Sequence, residues 1–267
     1  MKLTRGYQTI AIDYSDSSLI TITLNRPEVR NAINSVMMKE LYQFWREINQ
    51  EASNEIKCII LTGAGDKAFC AGADLKERLN LSTNVWKQQH KLLQLAIRAM
   101  IDCPIPIIAA INGAAFGGGL ELALASDFIY AAQDASFSQS EVKLGLMPGA
   151  MGSQNLAKAC GIRRAKELTF TGEAFTAKQA FEWGIVNQLC DKEQLLANVK
   201  MSAAKIILNA PIAIKNVKKA INASLFLDLQ TGYSYELALY NELLSTADRE
   251  EGIKAFNEKR QADFRGE

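Results

Sequence analysis

The fold is decided by the stretch Asn112-Gly113-Ala114-Ala115-Phe116-Gly117-Gly118-Gly119-Leu120-Glu121-Leu122-Ala123. It follows an apolar run from Ile105 to Ile111, whose β-branched residues and neighbouring prolines favour a short buried strand. Three consecutive glycines then open a helical segment over residues 120–126. Glycine allows close approach to the backbone, and the first N–H groups of a helix have no partner within it. The sequence therefore predicts a strand, a tight bend and a helix start that is able to bind an anion.

Glu121 stands just after this bend, and two interpretations of it are open. A carboxylate near a helix N-terminus is stabilising by ~0.3–1 kcal/mol, so Glu121 could serve the helix alone. It could also act on a ligand bound at the bend. These twelve residues do not decide between the two.

Composition excludes several classes of protein. The chain has 267 residues, 48% hydrophobic and 22% charged, which suits one large domain or one domain with an appendage. A net charge of +1 gives no bulk field for nucleic acid or an acidic membrane surface. No apolar run reaches membrane-spanning length, and residues 1–6 lead into polar sequence without the apolar core of a signal peptide. We therefore expect a cytoplasmic protein with no nucleic-acid or membrane partner.

Cysteine and histidine usage narrows the chemistry. The cysteines are scattered without a C-x-x-C pair, which favours reduced thiols and neither a disulfide framework nor a zinc site. His90, the single histidine, lies in a helical pattern over residues 84–100 and is interpreted as a helix-surface residue. Catalytic His pairs and multi-histidine metal sites would all have to use it. If the protein is an enzyme, carboxylates and backbone groups are expected to carry the reaction, with no metal.

The order of elements predicts repeated strand-strand-helix units followed by a helical tail. Apolar and alternating runs predict strands at residues 8–13, 19–25, 57–61, 105–111, 128–132 and 185–189. Periodicity predicts helices at residues 36–52, 84–100, 120–126, 153–159, 163–170 and 176–183. Asn34 or Ser35 is expected to cap the first of these helices, and Ser153 the fourth. From Lys192 onward the pattern is helical, and this tail is expected to pack on the body or on a neighbouring subunit.

A second glycine-bearing turn, Phe69 to Leu75, also leads from a strand into a helix. Neither turn has the spacing of a nucleotide phosphate loop. Two free N–H groups from separate turns could instead converge on one oxygen, where each donor is worth ~2.7–4 kcal/mol as negative charge develops. With Glu141 in a neighbouring loop, Glu121 would then help to hold and activate a water.

With these residues in view, the chain resembles the crotonase superfamily of enoyl-CoA hydratases and isomerases. The matching segments are residues 25–27 with 31–32, 69–75, 112–123, 138–149, 171–173 and 255–260. Each is weak alone, but their order and spacing are specific. Residues 70–78 and 118–123 look closest to the methylglutaconyl-CoA hydratase-like branch.

The resemblance implies an α/β fold of the crotonase (ClpP-like) type. Residues 1–195 would form a spiral of ββα units, and residues 196–267 a C-terminal helical region that builds trimers, often paired into hexamers. The implied partners are therefore further copies of the same chain and an acyl-CoA thioester substrate.

The resemblance also implies the chemistry, which is syn addition of water to a trans-2-enoyl-CoA. The oxyanion-hole N–H groups would be those of Ala73 and Gly118, with Glu121 and Glu141 as the acid–base pair and the N–H of Gly149 positioning the water. No cofactor is implied, because coenzyme A is part of the substrate. Related isomerases generally keep a single carboxylate, at the position of Glu141, so the pair favours a hydratase.

The residues that the resemblance implies for substrate and CoA binding are Arg30, Asn31, Ala32, Ala71, Asp74, Leu75, Phe256 and Lys259. Phe256 and Lys259 would reach the acyl pocket and a phosphate, if need be from another subunit. The alternative is an amphipathic tail helix with a core phenylalanine and a solvated lysine.

This sequence departs from the family pattern at four positions, Glu28, Ser140, Met151 and Asn155. Met151 is bulky and is expected beside the acyl site, so the sequence does not decide which acyl group the substrate carries. The alternatives are a methylglutaconyl-CoA hydratase, an enoyl-CoA isomerase, a thioester hydrolase and a non-catalytic scaffold. RNA binding, known for some relatives of that branch, is disfavoured because the helix at 36–52 carries no positive stripe.

Overall fold

The structure is a computed structural model that describes residues 6–50 and 54–267. Its strands are β1 (Ile10–Asp13), β2 (Leu19–Leu24), β3 (Cys58–Gly63), β4 (Ala68–Cys70), β5 (Ile107–Ile111), β6 (Ala114–Phe116), β7 (Phe128–Ala132), β8 (Ser136–Ser138), β9 (Phe175–Thr176) and β10 (Gln188–Cys190). Its helices are α1 (Ser35–Gln50), α2 (Leu75–Arg78), α3 (Thr83–Ile101), α4 (Gly118–Leu124), α5 (Gly152–Cys160), α6 (Ile162–Thr171), α7 (Ala177–Glu182), α8 (Leu195–Ile207), α9 (Pro211–Ala223), α10 (Leu229–Leu243) and α11 (Ala247–Glu258).

The strands form two sheets, and consecutive strands of the chain alternate between them from β3 to β8. The larger has the order β1-β2-β3-β5-β7-β10 and the smaller β4-β6-β8-β9. Each successive pair of strands, β3 with β4, β5 with β6 and β7 with β8, gives its first member to the large sheet and its second to the small one. The strands β3, β5 and β7 run parallel, as do β4, β6 and β8. The chain thus winds as a spiral of ββα units, which confirms the predicted fold class.

The core lies between the large sheet and the helices that cover it. Every residue of β3 and β5 is buried, as expected for central parallel strands covered on both faces. The helices α1 and α3 pack against each other, and α1 also contacts β1 of this sheet. Phe44 and Trp45 are fully buried in α1, with ring centroids 5.0 Å apart in an edge-to-face contact.

Several predicted elements agree with the structure. Strands β1 and β2, both predicted, pair as an antiparallel hairpin, and β7 spans the predicted residues 128–132. The side chain of Asn34, one of the two predicted caps, accepts a hydrogen bond from the N–H of Met37 at the start of α1. The predicted end of that helix at Ala52 lies outside the described residues, as do residues 1–5.

Other elements differ, for local reasons. Ser153 is not a cap, because α5 begins one residue earlier and its N-cap position is Met151 in the left-handed conformation. The helix predicted from residue 120 begins at Gly118. The strand predicted at 185–189 is confined to β10, because the N–H groups of Ile185 and Val186 both bond to the carbonyl of Ala180. Strands β6, β8 and β9 were not predicted, since two or three residues are too few to show alternation.

The C-terminal part of the chain is helical, as predicted. Helix α8 packs on strands β3, β5 and β7, while α9 packs on α10. None of the helices in the described ranges combines the length and apolarity needed to cross a bilayer. Because β4, β6 and β8 are parallel neighbours, the turns after them meet at one edge of the small sheet. That edge carries the candidate residues.

Candidate active site

The bend between β6 and α4 requires glycine. Gly117 has φ +50° and ψ −121°, a region closed to residues with a side chain. A Cβ there would also lie 3.2 Å from Oε1 of Glu141. A Cβ on Gly119 would come 2.1 Å from the carbonyl oxygen of Cys70. The glycines therefore let α4 start directly against the end of β4 and leave room for Glu141.

Two backbone N–H groups from separate turns come together here. Gly72, with φ +92°, ends the turn after β4, and a Cβ on it would lie 3.4 Å from the nitrogen of Gly118. A Cβ on Gly118 would lie 3.8 Å from the nitrogen of Ala73. In the described part of the chain, neither the Ala73 N–H nor the Gly118 N–H has an acceptor. The two turns thus bring the N–H groups of Ala73 and Gly118 close together, and their role as an oxyanion hole stays a prediction.

Glu121 lies in the first turn of α4 and is 3% exposed. Its Oε1 accepts hydrogen bonds from the N–H of Ala150 at 2.7 Å and of Gly152 at 3.0 Å. The pKa of Glu121 is raised to about 7, mainly by burial and also by the charge of Glu141, against the lowering effect of these N–H groups and that of Gly149. Both of these hydrogen bonds end on Oε1, so Oε2 is the oxygen that we expect to contact a ligand.

Glu141 begins a short 3-10 turn at the end of β8 and is half-buried. The side-chain amide of Gln139 donates to both of its oxygens, at 2.9 Å and 3.0 Å. Gln139 is fully buried, and its own Oε1 has no partner in the described residues. Gln139 thus fixes the direction of the Glu141 carboxylate, a role that the sequence did not suggest.

The segment of residues 30–33 runs alongside the turn after β4. The N–H of Ala71 bonds to the carbonyl of Arg30 at 2.9 Å, and Ile33 forms a parallel bridge with Ala73. Arg30 and Asn31 both have positive φ, at 54° and 55°. The structure therefore brings the predicted CoA-binding backbone of Arg30, Asn31, Ala32 and Ala71 beside the predicted oxyanion hole.

The side chains of this segment have internal partners. Asn31 is fully buried and bonds to the carbonyls of Ala64 and Ala68, each at 2.9 Å. Asp74 caps α2 and forms an ion pair with Arg26 at 2.9 Å. Burial acts to raise the pKa of Asp74, but the Arg26 hydrogen bond and the N–H groups of α2 outweigh it and the pKa is lowered. These side chains shape the turn, and their backbone is what remains for a ligand.

The remaining predicted residues lie on the surface. Leu75 is 48% exposed at the start of α2, and Phe256 is 83% exposed on α11. Lys259 follows α11 in the left-handed conformation. Side chains of α11 bond to the tail after it, as Glu251 does to Arg260. No bond ties Phe256 or Lys259 to the two glutamates within the described chain.

A histidine and an arginine that the sequence did not place here lie beside the site. A Cβ on Gly149 would lie 2.2 Å from Cε1 of His90, so the ring packs on the turn that holds Glu121. Arg78 stacks on Trp86 at 4.7 Å. Burial lowers the pKa of Arg78, opposed by the charges of Glu77 and Glu121. His90 is therefore a partly exposed helix residue, as its pattern predicted, whose contact with this turn the sequence did not indicate.

This arrangement offers two donors for one oxygen and two carboxylates whose charges interact. Burial raises the pKa of the Cys70 thiol to about 12, which makes it a poor nucleophile at neutral pH. No three His, Cys, Asp or Glu side chains within residues 6–50 and 54–267 are grouped as metal ligands would be. The site is suited to stabilising an enolate oxygen while carboxylates move protons.

Comparison with known proteins agrees with this geometry. A family model described as enoyl-CoA hydratase/isomerase matches residues 15–267. A short-chain-enoyl-CoA hydratase from Clostridium acetobutylicum is 38% identical over 93% of this chain and 94% of its own. A crotonyl-CoA hydratase from Syntrophomonas wolfei is 36% identical, with 97% and 98% covered.

Solved structures give the same result. The crystal structure of an enoyl-CoA hydratase from Bacillus anthracis matches with a TM-score of 0.94 at 40% identity, covering 97% of this chain and 100% of that one. These comparisons do not single out the methylglutaconyl-CoA hydratase branch, which stays a prediction. They confirm the resemblance at the level of the superfamily, and the chain belongs to the enoyl-CoA hydratase/isomerase family.

Proposed function

We propose that this protein is an enoyl-CoA hydratase that adds water syn across the double bond of a trans-2-enoyl-CoA thioester. The thioester carbonyl oxygen would accept hydrogen bonds from the N–H groups of Ala73 and Gly118. Negative charge grows on this oxygen as the double bond is attacked, so donors placed in advance stabilise the transition state more than the ground state.

The two glutamates would manage the water. Oε2 of Glu121 and the N–H of Gly149 would hold the water, whose oxygen forms a bond to C3 as Glu121 takes its proton. Glu141 would deliver a proton to C2 as the enolate collapses, and the two carboxyl groups then exchange protons with solvent. No electron leaves or enters, so the reaction asks for no redox cofactor, and coenzyme A enters only as part of the substrate.

The observation that carries this proposal is the pairing of two carboxylates with two unsatisfied N–H groups. The carboxylates are electrostatically coupled, since the charge of Glu141 contributes to the raised pKa of Glu121. An isomerase that moves one proton from C2 to C4 needs a single carboxylate, whereas holding and splitting a water benefits from both. The pair therefore favours hydration.

The test is a panel of enoyl-CoA thioesters followed by loss of absorbance of the conjugated double bond. Crotonyl, tiglyl, 3-methylglutaconyl and medium-chain thioesters cover the acyl lengths and branching that Met151 leaves open. We expect hydration of at least one, abolished in a Glu121→Gln, Glu141→Gln double variant. The panel also decides whether 3-methylglutaconyl-CoA, the substrate of the branch that the sequence resembles, is preferred.

The same assay separates the alternatives. Release of free CoA would indicate a thioester hydrolase, and conversion of a 3-enoyl to a 2-enoyl thioester without hydration would indicate an isomerase. A wild-type protein that hydrates no member of the panel would contradict the proposal and favour a scaffold.

We further propose that residues 1–195 are the catalytic spiral and that residues 196–267 assemble the chain into trimers or hexamers. The C-terminal region carries large exposed apolar side chains, among them Leu229 at 90% on α10 and Phe226 at 73% in the connection between α9 and α10. Such exposure is typical of interfaces between subunits. Light scattering on the purified protein should give the mass of three or six chains. The cytoplasmic location stays a prediction.

A further inference from the structure

His90 packs on the turn that supports Glu121. A Cβ on Gly149 would lie 2.2 Å from Cε1, 2.8 Å from Nε2 and 3.4 Å from Nδ1 of His90. Three ring atoms are therefore within contact distance of the space above one α-carbon, and the imidazole fills the place that a side chain at 149 would take. The ring comes from the middle of α3, almost sixty residues away in sequence.

The contacts of Gln94 determine which nitrogen of the His90 ring carries the hydrogen. Its amide nitrogen lies 3.1 Å from Nε2 of His90 and 3.3 Å from the carbonyl oxygen of Gly149. A carbonyl oxygen only accepts, so Gln94 must present its NH₂ group to the turn, and the same nitrogen then donates to His90. Nε2 is thus the acceptor, and the ring is neutral with its proton on Nδ1. Burial and the charge of Arg78 lower the pKa of His90, in agreement with a neutral ring.

The turn beneath the ring binds the carboxylate of Glu121. Its N–H groups at Ala150 and Gly152 hold Oε1 of Glu121, and the N–H of Gly149 lies close enough to favour the charged carboxylate. Gly149 and Gly152 resist displacement poorly, because glycine has no side chain to pack and a wide range of backbone conformations. Support must come from neighbouring residues, and at Gly149 the nearest atoms are those of His90.

We propose that His90 is a positioning residue, whose neutral ring holds the turn at residues 149–152 so that its N–H groups orient Glu121. The proposal rests on the proposed hydration, since it assigns His90 a part in that reaction. His90 does not touch the reacting atoms; it acts through the turn. Among the groups facing it, Arg78 comes from α2, Gln94 from α3 and Glu121 through the turn from α4.

Kinetics of three variants test the role. His90→Ala should lower kcat for crotonyl-CoA hydration about tenfold with KM changed less than about twofold, because a misplaced carboxylate costs the chemical step more than binding. Its pH profile should also shift to higher pH, since the N–H groups that lower the pKa of Glu121 are no longer held in place. His90→Phe keeps a ring over Gly149 and should recover most of the lost kcat. Lys87→Ala, an exposed change on the same helix, is the control.

Hydrogen–deuterium exchange tests the same proposal without substrate. The segment of residues 146–156 should exchange faster in His90→Ala than in the wild type, His90→Phe or Lys87→Ala. Unchanged exchange there, or a His90→Ala variant with the wild-type kcat and pH profile, would overturn the proposal. If the wild type hydrates no enoyl-CoA, the proposed function fails, while the exchange measurement still decides whether His90 supports the turn.

Discussion

The carboxylate of Glu141 lies over the α-carbon of Gly117, so that a Cβ at that position would be 3.2 Å from Oε1. The glycine bend and the catalytic candidate are therefore one structural unit, although 24 residues separate them in sequence. Whatever fills the space above Gly117 must displace the carboxylate.

Gly117→Ala should lower both stability and activity. The backbone at Gly117 costs about 1–3 kcal/mol for a residue with a side chain, and the new methyl group pushes Glu141 away from the site. We expect a decrease of that size in the free energy of unfolding, measured in urea, and a fall in kcat for enoyl-CoA hydration.

Gly161→Ala is the matched control for this change. Gly161 has φ +78° and ψ 157°, which is also a glycine conformation, but apart from its chain neighbours no atom of the described residues lies within 4 Å of its Cβ position. It should lose stability and keep kcat. Equal kcat values for the two variants would show that the contact with Glu141 does not matter.

The pH dependence of activity should report on Glu121. As a base toward water, Glu121 must be ionised, and its pKa is raised to about 7, first by burial and then by the charge of Glu141. Glu141 must at the same time carry the proton that it delivers to C2, so the active pair holds one proton. The value of kcat/KM for hydration should therefore fall as pH rises through a midpoint near 7, where the coupled pair loses that proton. Glu193→Gln, an exposed change, should leave this midpoint in place, and a profile that is flat from pH 5.5 to 8 would contradict the assignment.

The same carboxylate should destabilise the fold at high pH. The folded pKa of about 7 lies above the ordinary value of 4.5, so the folded state binds more protons than the unfolded state between these two values. Stability from this group is fully present below pH 4.5, falls as pH rises to 7, and is lower by ~3 kcal/mol above it. Glu121→Gln should therefore be more stable than the wild type at pH 8 and similar at pH 4.5, as measured by urea unfolding at both values.

The sequence could predict the parts of the site that depend on local signals. Glycines that follow a strand and precede a helix mark a bend wherever they occur, so the turns carrying Ala73 and Gly118 were found. Glu121 was proposed because it stands just after such a turn, and Glu141 because it lies in a neighbouring loop. The spiral itself was predicted from the family resemblance, while the residues alone indicated strand-strand-helix units.

Contacts between segments that are distant in the chain could not be predicted from the sequence. In the sequence, His90 lies in a helical pattern. Only the packing of α3 on the turn at Gly149 shows that His90 contacts the candidate site. In the sequence, Gln139 is one of several polar residues between Ser136 and Glu141. Its burial and its bonds to Glu141 depend on how β8 sits in the small sheet.

Gln139→Met should slow hydration while leaving the fold intact. The change keeps the volume of the side chain but removes both hydrogen bonds to Glu141, and bonds to a charged group are worth about 1.5–3 kcal/mol. We expect kcat to fall about tenfold or more, with normal thermal unfolding. Gln133→Met removes a comparable amide-to-carboxylate bond, to Asp191 on the surface, and should keep full activity. Similar kcat values for both variants would exclude a role for Gln139 in orienting Glu141.

Met151→Gly should stabilise the protein. Met151 stands at the N-cap of α5 with φ +68°, a conformation that costs a residue with a side chain about 1–2 kcal/mol and costs glycine nothing. The gain is reduced because glycine also has more freedom in the unfolded state, so we expect a net increase of about 1 kcal/mol in the free energy of unfolding. Met147→Gly is the control, because Met147 is 70% exposed on the same loop and does not have a positive φ. This variant should be neutral or destabilising.

Met151→Gly should also change the relative rates across the enoyl-CoA panel, because it removes a side chain beside Ala150 and Gly152. A more stable protein with an unchanged substrate preference would show that Met151 does not limit the acyl group.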